Sequence, residues 1–366
     1  MGGPLQGMRV IELAGLGPGP FAGMMLSDAG ADVIRIDRPG PAHATDTADD
    51  LSVALERGRR SIALDLRTEE GTRVALELIA SADALFEGFR PGVAERLGIG
   101  PDACLEVNPA LVYGRMTGWG QSGPLATTVG HDLNYIALAG ALGAIGTAGA
   151  PPTIPLNLVG DLGGGGMLLA FGLLCGVLHA RQTGKGQVVD VAMVDGVASL
   201  MAPFITQQEW RPRGENVIDG GSHFYNVYET SDGRWITIAS LEPQFYRELL
   251  EVLDLDPATL PAQMDEASWP DMRKLFAEKF RNRTSAEWEE QMRDREVCFA
   301  PVLDLDEVQH HPHLKERGVL GEVGGLLQPM PSPRFLGTPS GRPQPRPQVG
   351  AHQDELLREL ELRRRG

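Results

Sequence analysis

Strand and helix patterns alternate over the first 120 residues, and that rhythm limits the chain to a small set of folds. Met8-Arg9-Val10-Ile11-Glu12-Leu13 and Asp32-Val33-Ile34-Arg35-Ile36-Asp37 are short apolar-rich runs separated by a helix pattern that begins near Pro20. A second helix pattern over 68–81 leads to Ala84-Leu85-Phe86-Glu87, and a later one leads to Leu111-Val112-Tyr113-Gly114. Successive βαβ units require a parallel, doubly wound sheet, so the fold class is α/β. Ligands of such sheets sit outside the carboxyl ends of the strands. That is where 14–19, 38–39, 90–92 and 117–120 fall.

Beyond residue 130 the periodicity predicts a helix over 131–145 and a more buried one over 163–181. The pattern then changes: Val227-Tyr228-Glu229-Thr230 and Arg234-Trp235-Ile236-Thr237-Ile238 flank Ser231-Asp232-Gly233, a β-hairpin signal. Helices follow around 244–253, 272–280 and 286–293, the last behind a Thr284/Ser285 cap with Glu287. The proline-rich stretch 329–347 has no periodicity and is expected to run extended, ahead of a charged helix over 353–364. The resulting expectation is a separate α+β unit that starts near Phe224.

With 366 residues the chain is long enough for two such units. Its 33 Lys+Arg against 49 Asp+Glu give a net charge of −16, which argues against nucleic acid and anionic membranes as partners. An anionic ligand must therefore meet a local arginine cluster. The three cysteines, Cys104, Cys175 and Cys298, lack the spacing of a disulfide framework or zinc site, and a reducing cytosol suits them. No export signal is read at 1–8, and the apolar run 167–178 is too short and glycine-interrupted to span a bilayer.

Gly15-Leu16-Gly17-Pro18-Gly19-Pro20 follows the first strand and Asp37 ends the second, an outline shared with dinucleotide-binding folds. The match fails at Pro20, where the GxGxxG fingerprint needs its last glycine, so a nicotinamide or flavin cofactor is disfavoured. Arg38, Arg57-Gly58-Arg59-Arg60 and Arg90 offer another possibility, a guanidinium group for the phosphates of a nucleotide-bearing ligand such as coenzyme A. A plain solvated loop over 57–60 is the competing reading.

Two polar side chains stand at helix starts: His131 in Gly130-His131-Asp132-Leu133-Asn134-Tyr135, and Asp161 just ahead of Gly163-Gly164-Gly165-Gly166. A histidine and a carboxylate facing one carbon from opposite sides can remove a proton and return it on the other face. Each also has an ordinary structural reading, as a core histidine with a satisfied hydrogen bond and as a helix cap.

Further segments give these residues a family context. Residues 32–39, Arg60-Ser61-Ile62-Ala63-Leu64-Asp65-Leu66, Gly88-Phe89-Arg90-Pro91-Gly92-Val93, Gly118-Trp119-Gly120-Gln121-Ser122-Gly123-Pro124, 130–135 and Gly184-Lys185-Gly186-Gln187-Val188-Val189-Asp190 resemble the family III CoA-transferase (CaiB/BaiF-like) superfamily. Cys298-Phe299-Ala300-Pro301 and Pro331-Ser332-Pro333-Arg334-Phe335 extend the match over nearly the whole chain. Within the superfamily the chain is similar to the branch of racemases that act on 2-methylacyl-CoA thioesters. The resemblance implies a Rossmann-like large domain over 1–190 and 330–366, linkers at 191–222 and 311–329 and a small α+β domain over 223–310, in an interlocked homodimer with active sites shared between subunits. It also implies an acyl-CoA substrate and no cofactor beyond the coenzyme A of the thioester itself.

It further implies that His131 and Asp161 are the two bases and that Glu242, from the other subunit, orients the imidazole. A first-turn helix acid is the alternative for Glu242. Asp132 is implied to donate its backbone N–H to the thioester oxygen, with Asn134 and Tyr135 as support. Coenzyme A is implied to lie along Arg38, Arg60, Ala63, Leu64, Arg90 and Gly130. Gly220-Gly221 is a candidate lid. The rival activity within the superfamily is CoA transfer, with Asp161 as nucleophile; a catalytically silent CoA-binding protein is a third reading. His131 discriminates, because a transferase needs no second base at the α-carbon.

Overall fold

The computed structural model describes residues 2–40, 52–207 and 209–365. Most of 42–55, the stretch whose sequence shows no pattern, lies outside the described residues. The chain divides into two compact units, one of Met1–Ala141, Leu156–Ala202 and His313–Gly366, the other of Leu142–Pro155 and Pro203–Pro312.

The first unit is built on β1 (Arg9–Leu13), β2 (Asp32–Asp37), β3 (Arg60–Ala63), β4 (Ala84–Glu87), β5 (Val112–Thr117) and β6 (Gln187–Ala192), all parallel in the order β3-β2-β1-β4-β5-β6. Both sheet faces are covered, which is why the central strands are nearly continuous apolar runs. Val10, Val33, Ala84, Phe86 and Val112 face a core shared with Ala22 and Leu26 of helix Pro18–Asp28 and with Leu169 and Leu173 of helix Leu168–Thr183. Ile11, Ile34, Leu85 and Tyr113 face the other core, closed by Val74 and Leu78 of helix Glu69–Ile79 and by Leu356 and Leu360 of helix Gln353–Arg365. The order reverses between β1 and β4, which is the switch point where such sheets open a ligand crevice.

β3 is an edge strand, and its free backbone groups are covered by residues almost 300 positions on. Ser61 N donates to His352 Nδ1, Ala63 N donates to Gln353 Oε1, and His352 N donates to Ser61 O. Such cover blocks pairing with another strand.

The arginines at 57–60 correct both readings of that segment, since they are neither a solvated loop nor a free anion site. Arg57 is buried and donates to Asp28 and to Pro329 O. Arg59 pairs with Glu12 at 2.9 Å, both side chains fully buried. Arg60 is held by Asp32, Glu355 and Glu359, which raise its pKa against the opposing cost of burial. The carboxylates that neutralise these cations come from elements well separated in sequence, so charge counting within the segment does not find them.

The long central helix begins earlier than the apolar periodicity suggests. A π-helix over Leu158–Met167 runs directly into the α-helix Leu168–Thr183, which stops at Gly184 with φ 73°. The joined stretch is long and apolar enough to cross a membrane by length and composition, longer than the apolar run at 167–178. Here it packs across the sheet through Leu169, Ala170, Leu173, Val177 and Ala180. The glycine run makes this packing close: a Cβ at Gly164 would lie 2.9 Å from Val197 N, and one at Gly166 would lie 2.7 Å from Pro18 O.

In the second unit the hairpin forms as expected, from β7 (Tyr225–Glu229) and β8 (Trp235–Ala239), with β9 (Phe299–Pro301) completing a three-stranded antiparallel sheet. Phe224, Tyr228, Ile236, Phe276, Phe280 and Trp288 form its core. Thr284 Oγ1 accepts from Glu287 N, and Glu287 Oε2 accepts from Thr284 N, the reciprocal cap read from the sequence. Residues 142–155, placed with the large domain by the sequence reading, belong here because Arg213 donates to Gly143 O and Ala150 O.

Gly220-Gly221 is a pinned turn in this structure, where a lid was expected. Asn226 Nδ2 donates to Gly220 O at 2.7 Å, Arg273 donates to Gly221 O, and the Asp219 carboxylate accepts from Gly214 N and Asn216 N.

Candidate active site

A cavity of about 290 Å³ opens in the first unit at the switch point between β1 and β4. Its walls are the ends of the strands and the turns leaving them: Leu13, Gly15 and Leu16 at β1, 88–91 after β4, 117–119 at β5 and Met193 after β6. The glycine-rich turn that imitates a dinucleotide fingerprint has a different task here. Gly17, at φ 68°, places its backbone where a Cβ would lie 3.1 Å from Asp161 Oδ2, and Pro18 then starts the helix. The turn thus forms one side of the Asp161 carboxylate.

His131 caps the helix Asp132–Leu138, with its backbone extended at φ −134° and ψ 173°. Its own N–H donates to Asn134 Oδ1 at 3.0 Å, and Asn134 N donates back to His131 O at 2.8 Å. Asn134 therefore fixes the backbone from which the imidazole projects. The His131 side chain is exposed and lines the cavity, which excludes the reading of a buried core histidine.

Tyr135, one turn on, is buried against Trp119 in an edge-to-face pair at 4.7 Å. Cβ atoms at Gly118 or Gly130 would lie 2.0 Å and 2.8 Å from its ring, so both positions require glycine. Burial and the nearby Asp161 charge push the Tyr135 hydroxyl pKa up.

Asp161 lies in the first turn of the π-helix and is half-buried. It does not act as a helix cap; Asn157 holds the cap position and donates through Nδ2 to Asp161 Oδ2 at 3.1 Å. Burial is the main cause of a raised Asp161 pKa; the Asp132 charge adds to it, while Asn157 and His131 oppose it.

The link between the two helix starts is a feature that sequence reasoning missed. Asp161 N–H donates to Asp132 Oδ1 at 2.7 Å, so the residue following His131 grips the backbone of the second candidate base. Twenty-nine positions separate the partners, and no local signal joins them. Asp132 itself is buried, which suits this tether better than solvent exchange of a proton.

Gly160 leaves room for the tether: a Cβ there would sit 2.3 Å from Asp132 Oδ1. Gly160→Ala is expected to break the 2.7 Å bond. A thermal melt should show a loss of about 2 kcal/mol, and displacement of Asp161 should slow turnover by about tenfold or more. A variant with wild-type melting and turnover would show that the tether is not needed.

The arginines implied for coenzyme A separate into two groups. Arg90 is exposed and lines the cavity with His131. Arg38 is exposed at the carboxyl end of β2, near Asp65. Arg60 is committed to its three carboxylates, the Ala63 N–H to Gln353, and Leu64 is buried. Gly130 lines the cavity; of the methionines nearby in sequence, Met116 and Met193 line it too. In the second unit Glu242 is exposed at the start of helix Pro243–Val252 and makes no capping bond; burial raises the Cys298 pKa and the Glu242 charge adds to it.

The family model for CoA-transferase family III matches residues 5–353. The chain is 44% identical over 361 residues to an alpha-methylacyl-CoA racemase of Mus musculus, covering 97% of this chain and 93% of that protein. It is 43% identical over 362 residues to the alpha-methylacyl-CoA racemase of Homo sapiens, with the same coverage. Among solved structures, a CAIB/BAIF family protein from Brucella suis superposes with a TM-score of 0.84 at 25% identity, covering 98% of this chain and 100% of that one.

Proposed function

The chain belongs to CoA-transferase family III, and from that premise we propose that it interconverts the (2R) and (2S) epimers of a 2-methylacyl-CoA thioester by two-base proton transfer. The observation that carries the reading is the Asp132 tether, which keeps two acid/base residues on neighbouring helix starts, His131 on the cavity wall and Asp161 against Gly17 in the turn whose neighbours line that cavity. The mouse and human relatives named as racemases support it.

The α-hydrogen of a thioester is weakly acidic because the charge left behind moves onto oxygen. In this mechanism one base, His131 or Asp161, removes that proton, a planar enolate forms, and the conjugate acid of the other returns a proton to the opposite face. Asp132 N–H, at the first helical position, has no acceptor within its own helix and is the donor offered to the enolate oxygen. The Asp161 N–H is not available for that task, since Asp132 holds it. Burial raises the Asp161 pKa and so brings its acid and base forms closer in energy, which suits one carboxyl to both roles. The route needs no cofactor.

Arg90, on the cavity wall, and Arg38 meet the anionic part of the ester in this reading. A second copy of the chain completes the site and supplies Glu242 to the imidazole. Support for self-association comes from Met167, Phe171 and Leu178, apolar, exposed and spaced along the central helix.

Purified protein in D₂O is expected to exchange the α-proton of a 2-methylacyl-CoA and interconvert its epimers with no acceptor acid present. Acceptor-dependent CoA transfer without α-exchange would overturn the racemase reading and leave Asp161 as the nucleophile of a transferase.

A further inference from the structure

Glu87 ends β4 fully buried, a carboxylate where a parallel strand normally has an apolar side chain. Its Oε2 accepts the backbone N–H of Phe89 at 2.5 Å. Its Oε1 faces Arg115 Nε of β5 at 3.4 Å, and neither of those atoms has a hydrogen-bond partner among the described residues. Arg115 reaches on to Glu95 of helix Val93–Arg96 at 2.9 Å. Tyr113, on β5, also feels the Glu87 charge while its hydroxyl donates to Ile99 O.

The residues that follow Glu87 are the cavity wall: Gly88, Phe89, Arg90 and Pro91 all line the space that holds His131. The turn continues with Val93 N donating to Arg90 O and with Gly92 at φ 81°. The Phe89 amide is thus the point at which the wall carrying Arg90 is fastened to the sheet.

We propose that Glu87 is a positioning residue: its ionised carboxylate fastens the 88–91 turn so that Arg90 meets the anionic part of the CoA ester, and uptake of a proton by Glu87 weakens binding. The inference rests on the acyl-CoA reading above. An ionised acceptor makes the stronger bond to Phe89 and keeps a countercharge for Arg115; a neutral carboxyl loses both advantages. Burial pushes the Glu87 pKa up, the Phe89 N–H and Arg115 pull it down, Glu95 pushes it up again, and it comes to rest at about 7. The change therefore falls in the neutral range, with ester affinity highest above pH 7 and declining below it.

The test is titration calorimetry of the full chain with a 2-methylacyl-CoA thioether, which binds but has no thioester to react, from about pH 5.5 to about pH 8.5. Wild-type affinity is expected to fall on acidification by up to about tenfold per pH unit for one linked proton. Glu87→Gln keeps an acceptor for Phe89 but, like the protonated acid, is uncharged and cannot titrate, so at every pH it should bind about as weakly as wild type does at the acid end and lack that part of the pH dependence. Glu87→Leu removes the acceptor and should bind about tenfold or more weakly even at high pH.

A Glu87→Gln profile parallel to wild type, after the contribution of the ligand phosphate common to both, would overturn the proposal, as would wild-type affinity in Glu87→Leu. If Glu87→Leu does not fold, the glutamine profile decides alone. Failure of the wild type to bind the thioether at any pH removes the CoA reading and this inference with it. A failed α-exchange assay with the binding profile intact removes the racemase reading only.

Discussion

Replacing Asp161 with alanine is expected to slow racemisation by about 10²–10⁴-fold, the range that a positioned acid/base group supplies, while CoA-ester binding stays near wild type. His131→Ala is expected to do the same. Each variant should keep some α-proton exchange with the epimer served by the surviving base, because losing one of two bases blocks the inversion more completely than the first deprotonation. Starting exchange in D₂O from pure (2R) and from pure (2S) ester separates the two assignments. Equal loss of exchange from both epimers in both variants would show that the residues do not face opposite sides of the α-carbon.

Asp161→Asn carries a second expectation about stability. The folded pKa of Asp161 lies above its ordinary value, chiefly because burial penalises the charge. An acid raised in this way has its stabilising contribution below the ordinary carboxylate pKa and loses it as pH rises through the folded value. Above that folded value the ionised Asp161 costs the fold stability, and Asp161→Asn should raise Tm there while removing activity. A lowered Tm across the alkaline range would mean that Asp161 contributes to the fold rather than burdening it.

The other large effect belongs to a residue with no chemistry of its own. Gly196, in helix Met193–Leu200, faces the π-helix so closely that a Cβ would lie 1.9 Å from Gly164 O. The obstacle is backbone, so no side-chain rotation relieves it. Gly196→Ala is expected to cost about 3 kcal/mol, at the upper end of core overpacking, and to lower Tm by about 6–10 °C for a unit of this size.

The strain should also push the π-helix and Asp161 away from Asp132, so activity at a permissive temperature should fall with stability. Gly143→Ala is the control, since a Cβ there meets nothing within 4 Å. Calorimetric melts of both variants check the pair; comparable Tm values for the two would show that the helices can separate without cost.

The parallel sheet is legible because buried parallel strands are short apolar runs in the middle of alternating helix patterns, and 32–37 and 84–87 coincide with β2 and β4. The start of the long helix is less legible. Asp161 is a favoured cap type, so local reading begins the element at 163 behind it, whereas the structure begins it at Leu158, takes Asp161 into the first turn and uses the glycines for close packing on Pro18 and Val197. Cap geometry at His131 and Thr284 is local and can be read from a few neighbouring residues. The Asp132–Asp161 tether and the Arg59–Glu12 pair join residues 29 and 47 positions apart, so the sequence shows charges without showing their partners. The same distance misleads at Arg60, whose carboxylates arrive from Asp32, Glu355 and Glu359.

Those last ion pairs also bear on how the molecule is made. Arg9 of β1 and Arg60 of β3 both close on Glu359, and the β3 edge is covered by 350–353. As the chain leaves the ribosome, the β-strands of the first unit emerge early and wait with the β3 edge uncovered and one face covered only in part, by helix Glu69–Ile79, while 203–312 of the second unit is translated. The second unit is free to fold in that interval, since its hairpin and helices lie in one nearly continuous stretch. Release of the last helix is then the step that seals the sheet, so the vulnerable period for aggregation of this protein is set by the time needed to translate the inserted unit.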